Sequence, residues 1–170
     1  MIAASVMLIS ILISACGSKN AENKVGKVSK KIEQKIVFVQ QFTNYSDTYI
    51  NKGYFIDNEG NKVTYDLSSE DKKYADSKEL LPYLEKLQYD KSESKINQED
   101  LQKYYDLLYK IDLNYKLDEK SYGADQGSDS LYGVIYDSNN SHKMILIDET
   151  GDWEKKNTDS NAIKIKEGLR

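Results

Sequence analysis

Residues 36–67 read IVFVQQFTNYSDTYINKGYFIDNEGNKVTYDL, and their pattern decides the fold class. Ile36, Val37, Phe38, Val39 and Phe42 form one β-branched and aromatic run, and residues 49–56 form a second. Asp57-Asn58-Glu59-Gly60-Asn61 then gathers turn-forming residues, after which Val63, Tyr65 and Leu67 alternate with polar neighbours. Alternation of this kind puts successive side chains on opposite faces of a strand. Tyr54-Phe55-Ile56, the turn and Val63-Thr64-Tyr65 therefore predict a β-hairpin.

C-terminal to this block the period lengthens. Asp76 with Glu79 three residues on resembles a capping box ahead of Leu80, Leu81, Leu84 and Leu87. Pro82 falls in or just after the first turn, where a missing N–H is best tolerated. Asn97 can cap a second helix, with Glu99 and Asp100 in its first turn and Leu101, Tyr104, Tyr105, Leu108 and Ile111 along one face. Residues 112–130 have no clear period, and residues 122–129 read as an exposed loop. Residues 131–136 and 143–147 read as strands joined by the turn Ser138-Asn139-Asn140-Ser141. After a break at Gly151-Asp152, Asp159 or Ser160 can cap a short helix bearing Ala162, Ile163, Lys166 and Leu169, although the alternation of Ile163 and Ile165 also suits a strand. The order predicts an α+β domain, a single antiparallel sheet of about five strands with two to three helices packed on one face.

A length of 170 residues suits one such domain and excludes a two-lobed solute-binding protein. A mean hydropathy of -0.71 excludes a polytopic membrane protein. The apolar residues are not evenly spread, since twelve of the first fifteen are hydrophobic. Residues 2–13 form an uncharged run of signal-peptide length, short of the roughly 20 residues that span a bilayer. Ile13-Ser14-Ala15-Cys16 follows directly: an aliphatic residue, two small ones and the single Cys of the chain. This resembles the lipobox of bacterial lipoproteins, although no Lys or Arg precedes Ile2.

That resemblance implies cleavage before Cys16, a diacylglyceryl group on its sulfur and acylation of the new amino terminus. Two acyl chains hold stably where a single chain is marginal. With Cys16 consumed no disulfide is available, so the folded part relies on its core. The expected organisation is a signal peptide over 1–15, a lipidated Cys with a flexible basic tether over 16–33, and one globular domain over 34–170. The tether carries a net charge of +3 and leaves about -7 on the domain, out of -4 overall. An acidic domain on a basic stalk is held off an acidic surface and is a poor partner for nucleic acid.

Beyond the lipobox, the chain is similar to small lipoproteins of low-GC Gram-positive bacteria, clostridial ones especially. The likeness rests on Asn44-Tyr45 through Gly53-Tyr54-Phe55-Ile56-Asp57, on Gly60-Asn61 to Tyr65-Asp66, and on Ile147 through Gly151-Asp152 to Asn157. It implies a place on the outer face of the cell membrane and supplies no reaction.

Candidate sites are few. An EF-hand loop needs oxygen ligands at positions 1, 3 and 5, Gly at 6 and Glu at 12. Counted from Asp57, Gly is fourth and position 12 is Ser68, so the segment reads as a turn and no metal site is expected. Asp125 and Asp129 around Gly127 read as a solvated acidic loop. His142 is the one His; Ser141 beside it points to the other face of a strand, so no catalytic residue is expected. Tyr45, Tyr49, Tyr54 and Tyr65 cluster in the first β block. Exposed on one face they make a platform for a cell-wall glycan or an extracellular protein; otherwise they are half-buried sheet residues. Trp153 reads as a core plug or a cover for the sheet edge.

The expectation is a membrane-anchored extracytoplasmic lipoprotein with a non-enzymatic binding domain and no cofactor besides the lipid on Cys16. The alternatives are a hydrolase of envelope polymer with two carboxylates roughly 5–10 Å apart, and an inhibitor or immunity-type protein. Metabolic labelling with a palmitate analogue is expected to mark the wild-type chain and not Cys16→Ser, which should leave the membrane fraction. A labelled serine variant would overturn the anchor.

Overall fold

The hairpin forms where the alternation predicts it, and the sheet extends well beyond it. The computed structural model describes residues 29–89, 94–123, 126–136 and 141–170. Cys16 and the lipobox, the tether up to residue 28, Asp125 and Ser138-Asn139-Asn140 lie outside the described residues. The strands are β1 (Ile36–Asn44), β2 (Ile50–Asp57), β3 (Lys62–Asp66), β4 (Leu117–Ser121), β5 (Ser128–Tyr136), β6 (His142–Gly151) and β7 (Trp153–Asn157). The helices are α1 (Ser77–Lys86), α2 (Gln98–Leu108) and α3 (Ser160–Leu169). The strands form one sheet in the order β3-β2-β1-β5-β6-β7-β4, with every neighbour antiparallel.

The fold class is therefore α+β with one antiparallel sheet and three helices, but the sheet has seven strands, not about five. The two missed strands, β4 and β7, read Leu-Asp-Glu-Lys-Ser and Trp-Glu-Lys-Lys-Asn. Both carry charges on both faces, so neither shows the apolar alternation by which a half-buried strand is recognised. Ser128 and Asp129, expected in a loop, are the first residues of β5.

The helices also do not share one face. Leu80, Leu81 and Leu84 of α1 pack with Ile36, Val39, Phe55, Val63 and Val134. Leu101, Tyr105 and Leu108 of α2 and Ala162 and Ile165 of α3 pack with Phe38, Ile56, Leu131, Ile135 and Ile145. Alternate residues of β5, Leu131 and Ile135 against Val134, go to the two clusters, so the sheet lies between α1 on one side and α2 with α3 on the other. This explains the unbroken run Ile36-Val37-Phe38-Val39, each residue fully buried. A strand covered on both faces has no polar side to show.

Two irregularities set the register. Between Ile36 and Phe38 the β1–β2 pairing skips a residue, so Val37 and Phe38 both face α2 and α3. In β6 the partner of Tyr132 is Leu146 and that of Leu131 is Asp148, so Ile147 is the inserted residue. Such a bulge turns neighbouring side chains onto one face. Asp148 thereby enters the interior beneath α3, fully buried, where Lys166 Nζ lies 2.8 Å from Oδ1 and Arg170 Nη1 2.8 Å from Oδ2.

The helix caps are as the residue types require. The Asp76 carboxylate accepts from Lys78 N–H at 2.9 Å, and the Asn97 amide oxygen from Asp100 N–H at 2.8 Å. The C-terminal segment is a helix: Asp159 caps it by accepting from Asn161 N–H at 2.7 Å, and Ile165 turns inward while Ile163 stays exposed. Residues 29–33, read from sequence as the end of the tether, run along α2. Ser29 Oγ donates to Asp106 Oδ2 at 2.7 Å, and Gln102 Nε2 to the Lys30 carbonyl at 2.8 Å.

Burial pushes the Asp159 carboxyl up, but the N–H groups of Asn161, Asp112 and Ala162 outweigh it and hold it below its ordinary value. A carboxyl lowered by folding stabilises above its unfolded value near ~4 and loses that contribution as pH falls through the folded one. Asp159→Ala is expected to cost about 1 kcal/mol at neutral pH by urea denaturation. The difference from wild type should shrink as the pH is taken below about 4; a gap that persists there would contradict the cap.

Candidate functional site: an aromatic cleft at one end of the sheet

The four tyrosines do not share a face. Tyr65, nearly buried, points to the α1 side and donates its hydroxyl to the Gln40 carbonyl at 3.1 Å; burial raises its phenol well above the ordinary range. Tyr54 packs against the opposite cluster, with Lys62 Nζ 3.7 Å from its ring centre. Tyr54 and Tyr65 both line a hollow of about 500 Å³ over β1, β2 and β3, while Tyr45 and Tyr49, both in the β1–β2 connection, meet ring to ring, 5.5 Å apart. Tyr45 is 58% exposed, while the Tyr49 hydroxyl is buried.

What Tyr45 meets across a gap is Trp153. The two side chains wall a cavity of about 380 Å³ between the β1–β2 connection and the β6–β7 turn. Gly127 and Ser128 lie along it, and Thr43, Asn44, Ser46 and Asp152 complete the lining. Trp153 is neither core plug nor edge cover. It is 46% exposed on β7, which lies inside β4 in the sheet. Leu117 to Ser121 pairs with β7 and occupies the edge that Trp153 was expected to cover.

The backbone beneath the cleft is tightly tied. Gly127 has φ +79°, and a Cβ there would stand 2.6 Å from the Thr43 carbonyl oxygen. Gly151, at φ +126°, brings its Cα against the Gly127 carbonyl, where any Cβ would collide. Only glycine fits both the dihedral and the contact. Asp152 closes the arrangement. Its carboxylate accepts from Gln126 N–H at 2.8 Å and Gly127 N–H at 3.1 Å, and its own N–H donates to the Gly127 carbonyl at 2.9 Å. Its carbonyl takes the Tyr122 N–H at 3.1 Å.

Each aromatic wall has a backing. Behind Tyr45 stands Tyr49, with Lys72 Nζ 5.7 Å from its ring centre. Beside Trp153, Lys155 Nζ lies 5.7 Å from the indole centre and is held 3.1 Å from Glu149 Oε2, a carboxylate only 10% exposed. A larger hollow of about 710 Å³ lies between α2 and α3, and its lining mixes Lys103, Lys110 and Lys164 with Glu99, Asp106 and Glu167, as in a solvated groove between helices.

Other candidates resolve into structure. Asp57 Oδ1 accepts from the N–H groups of Glu59 and Asn61 at 2.9 and 2.8 Å, and Oδ2 from Asn61 Nδ2 at 2.7 Å and Tyr89 OH at 3.2 Å. Burial and this carboxylate push the Tyr89 phenol up to about 12. Asp57 is therefore the latch of its own turn. Among the described residues no group of three or more His, Cys, Asp or Glu is placed to hold a metal. His142 Nε2 lies 3.2 Å from Glu85 Oε1 of α1, with its ring on Tyr136, and so braces α1 against β6. The cleft offers one carboxylate, Asp152, with both oxygens engaged. A glycoside hydrolase needs a second one across the gap.

Comparison with family models, with curated proteins and with solved structures finds no match to this chain.

Sequence reasoning named Tyr45 and Trp153 separately but had no means of joining them. They are 108 positions apart, and their meeting depends on the β1–β5–β6–β7 pairing. Asp152→Ala is expected to lower stability by about 1–2 kcal/mol through loss of two hydrogen bonds to a charged acceptor. It should also raise the acrylamide quenching of Trp153, the only tryptophan, as the turn loosens. Unchanged stability and quenching would show the turn to be held by other means.

Proposed function

We propose that this protein is a membrane-anchored, extracytoplasmic binding module whose contact surface is the Tyr45–Trp153 cleft. The observation that carries the reading is the exposure of two large aromatic side chains on a braced, glycine-tied frame. Burying such a side chain is worth ~1.5–3 kcal/mol, so a fold that keeps two of them at the surface forgoes that stabilisation. Aromatic residues backed by fixed neighbours contribute disproportionately to binding.

The anchor is supported by the lipobox resemblance at Cys16. The direction of the chain agrees with it. Ser29 to Gln34 approach the start of β1, and Thr43 and Asn44 at its other end belong to the cleft. Eight residue steps at ~3.3 Å separate the two by roughly 25 Å. A tether entering through residue 29 and a cleft at the far end of β1 are compatible with contact to an extracellular protein or wall polymer.

The test is co-sedimentation of the full chain, in detergent, with purified cell envelope. Tyr45→Ala combined with Trp153→Ala is expected to cut the bound fraction at least tenfold with the melting temperature unchanged. Equal retention of the double variant would remove the cleft from the contact.

A further inference from the structure

The chemistry of the cleft identifies its ligand more closely. We infer that it takes a short segment of a neutral sugar chain, stacked on Trp153 and Tyr45 and hydrogen-bonded at the rim. The inference rests on the reading of the cleft as the contact surface, and it goes further by naming the ligand class and setting charged polymers aside.

Charge makes the first part of the argument. The one acidic group of the lining, Asp152, spends both carboxylate oxygens on the N–H groups of Gln126 and Gly127. The cation nearest the indole, Lys155, is bound to Glu149 through both of its oxygens at 3.3 and 3.1 Å. A cationic ligand would find no free counter-charge in the lining, and an anionic one would approach a domain of net charge about -7. What remains is polar and uncharged, matching the hydroxyls of Thr43, Ser46 and Ser128.

Shape makes the second part. A pyranose ring is amphipathic: its C–H faces carry partial positive charge and lie well on the negative face of an aromatic ring, while its hydroxyls point outward at the edge. A cleft with aromatic walls and a hydroxyl-bearing rim offers both kinds of contact at once. Here both walls stay about half-exposed, at 58% and 46%, so their faces are open to a sugar ring, and the cavity of about 380 Å³ is at the small end of ligand-sized clefts. Tyr49 enters as a positioning residue. Its ring sets the place of Tyr45, and its buried hydroxyl does not reach the cleft.

Trp153, as the sole tryptophan, reports binding without a label. The full chain in detergent is titrated with chitotetraose and cellotetraose as neutral probes and with tetragalacturonate as the charged one. The expected result is a saturable change in Trp153 emission with at least one neutral probe and at least tenfold weaker binding of tetragalacturonate. Tyr45→Ala should weaken the neutral probe about tenfold; Tyr49→Leu should weaken it with the melting temperature unchanged, and Tyr49→Phe should restore it. Equal binding of the charged and neutral probes overturns the inference. So does silence towards all three sugars while detergent-solubilised envelope protein still shields Trp153 from acrylamide, an outcome that leaves the binding reading standing. Silence towards sugars and envelope alike removes both.

Discussion

One residue inserted into β6 at Ile147 governs the placement of α3 and of the cleft together. The insertion puts Ile147 and Asp148 on the same face, and the buried Asp148 carboxylate then meets Lys166 and Arg170 of the C-terminal helix segment. An isolated carboxylate in that position would cost several kcal/mol, so the bulge and the two cations depend on one another. Arg170 is the only arginine of a lysine-rich chain, and it is used where a buried carboxylate must be met. Beyond the bulge the phase is reset. Glu149 stands opposite Ser130 on the α1 side and captures Lys155, which shares a strand face with Trp153. Without the inserted residue every side chain from Asp148 onward would turn over, and Trp153 would lose its place beside Tyr45.

Covering both faces of the sheet decides where a site can be. With α1 on one side and α2 and α3 on the other, the middle of the sheet is closed, and its margins and strand ends remain open. Both edges are closed to pairing in different ways. At β3 the Lys62 N–H is taken by the Ser94 carbonyl and the Ile96 N–H by Gly60, so a neighbouring segment already runs along part of the strand. At β4 the exposed Asp118, Glu119 and Lys120 discourage a further strand. The end where β1 leaves for β2, β5 begins and β6 turns into β7 is where two connections frame the open cleft.

Legibility in the sequence followed the physics of burial. The hairpin of β2 and β3, and helices α1 and α2 with their caps, were readable because half-buried elements alternate and helix ends need acceptors. The run Ile36 to Val39 is readable as a strand, and its lack of a polar side is the mark of helices on both faces, which the order of elements alone does not convey. β4 and β7 were hidden because a charged edge ribbon has no apolar period. For the last segment the sequence offers a helix capped by Asp159 or Ser160 and leaves a strand open; the Asp159 cap and the inward Ala162 and Ile165 decide for the helix. For the site, the residue types were visible and their assembly was not. A bulge leaves no trace in composition, and neither does the approach of Gly127 to Gly151. The two glycines flanking polar loop residues were the one available signal that backbones meet there.

The backing of the cleft is polar where an apolar one would be the simpler choice. Under the β1–β2 connection, Gln41 Nε2 donates to Asn51 Oδ1 at 3.0 Å and to the Tyr74 carbonyl at 3.1 Å. Asn51 in turn takes its N–H to Ser68 Oγ and its carbonyl to Leu67 N–H. These bonds join β1, β2, the chain after β3 and the 3-10 turn at Lys72–Ala75 into one network with almost no exposed surface at Gln41 or Asn51. Apolar packing is non-directional and tolerates sliding, whereas a buried network has few arrangements that satisfy its members. Tyr49, two residues before Asn51, is placed by that network and stands behind Tyr45. Directional bonds below and a bulge-set register opposite thus position the two aromatic walls of the cleft from separate parts of the fold.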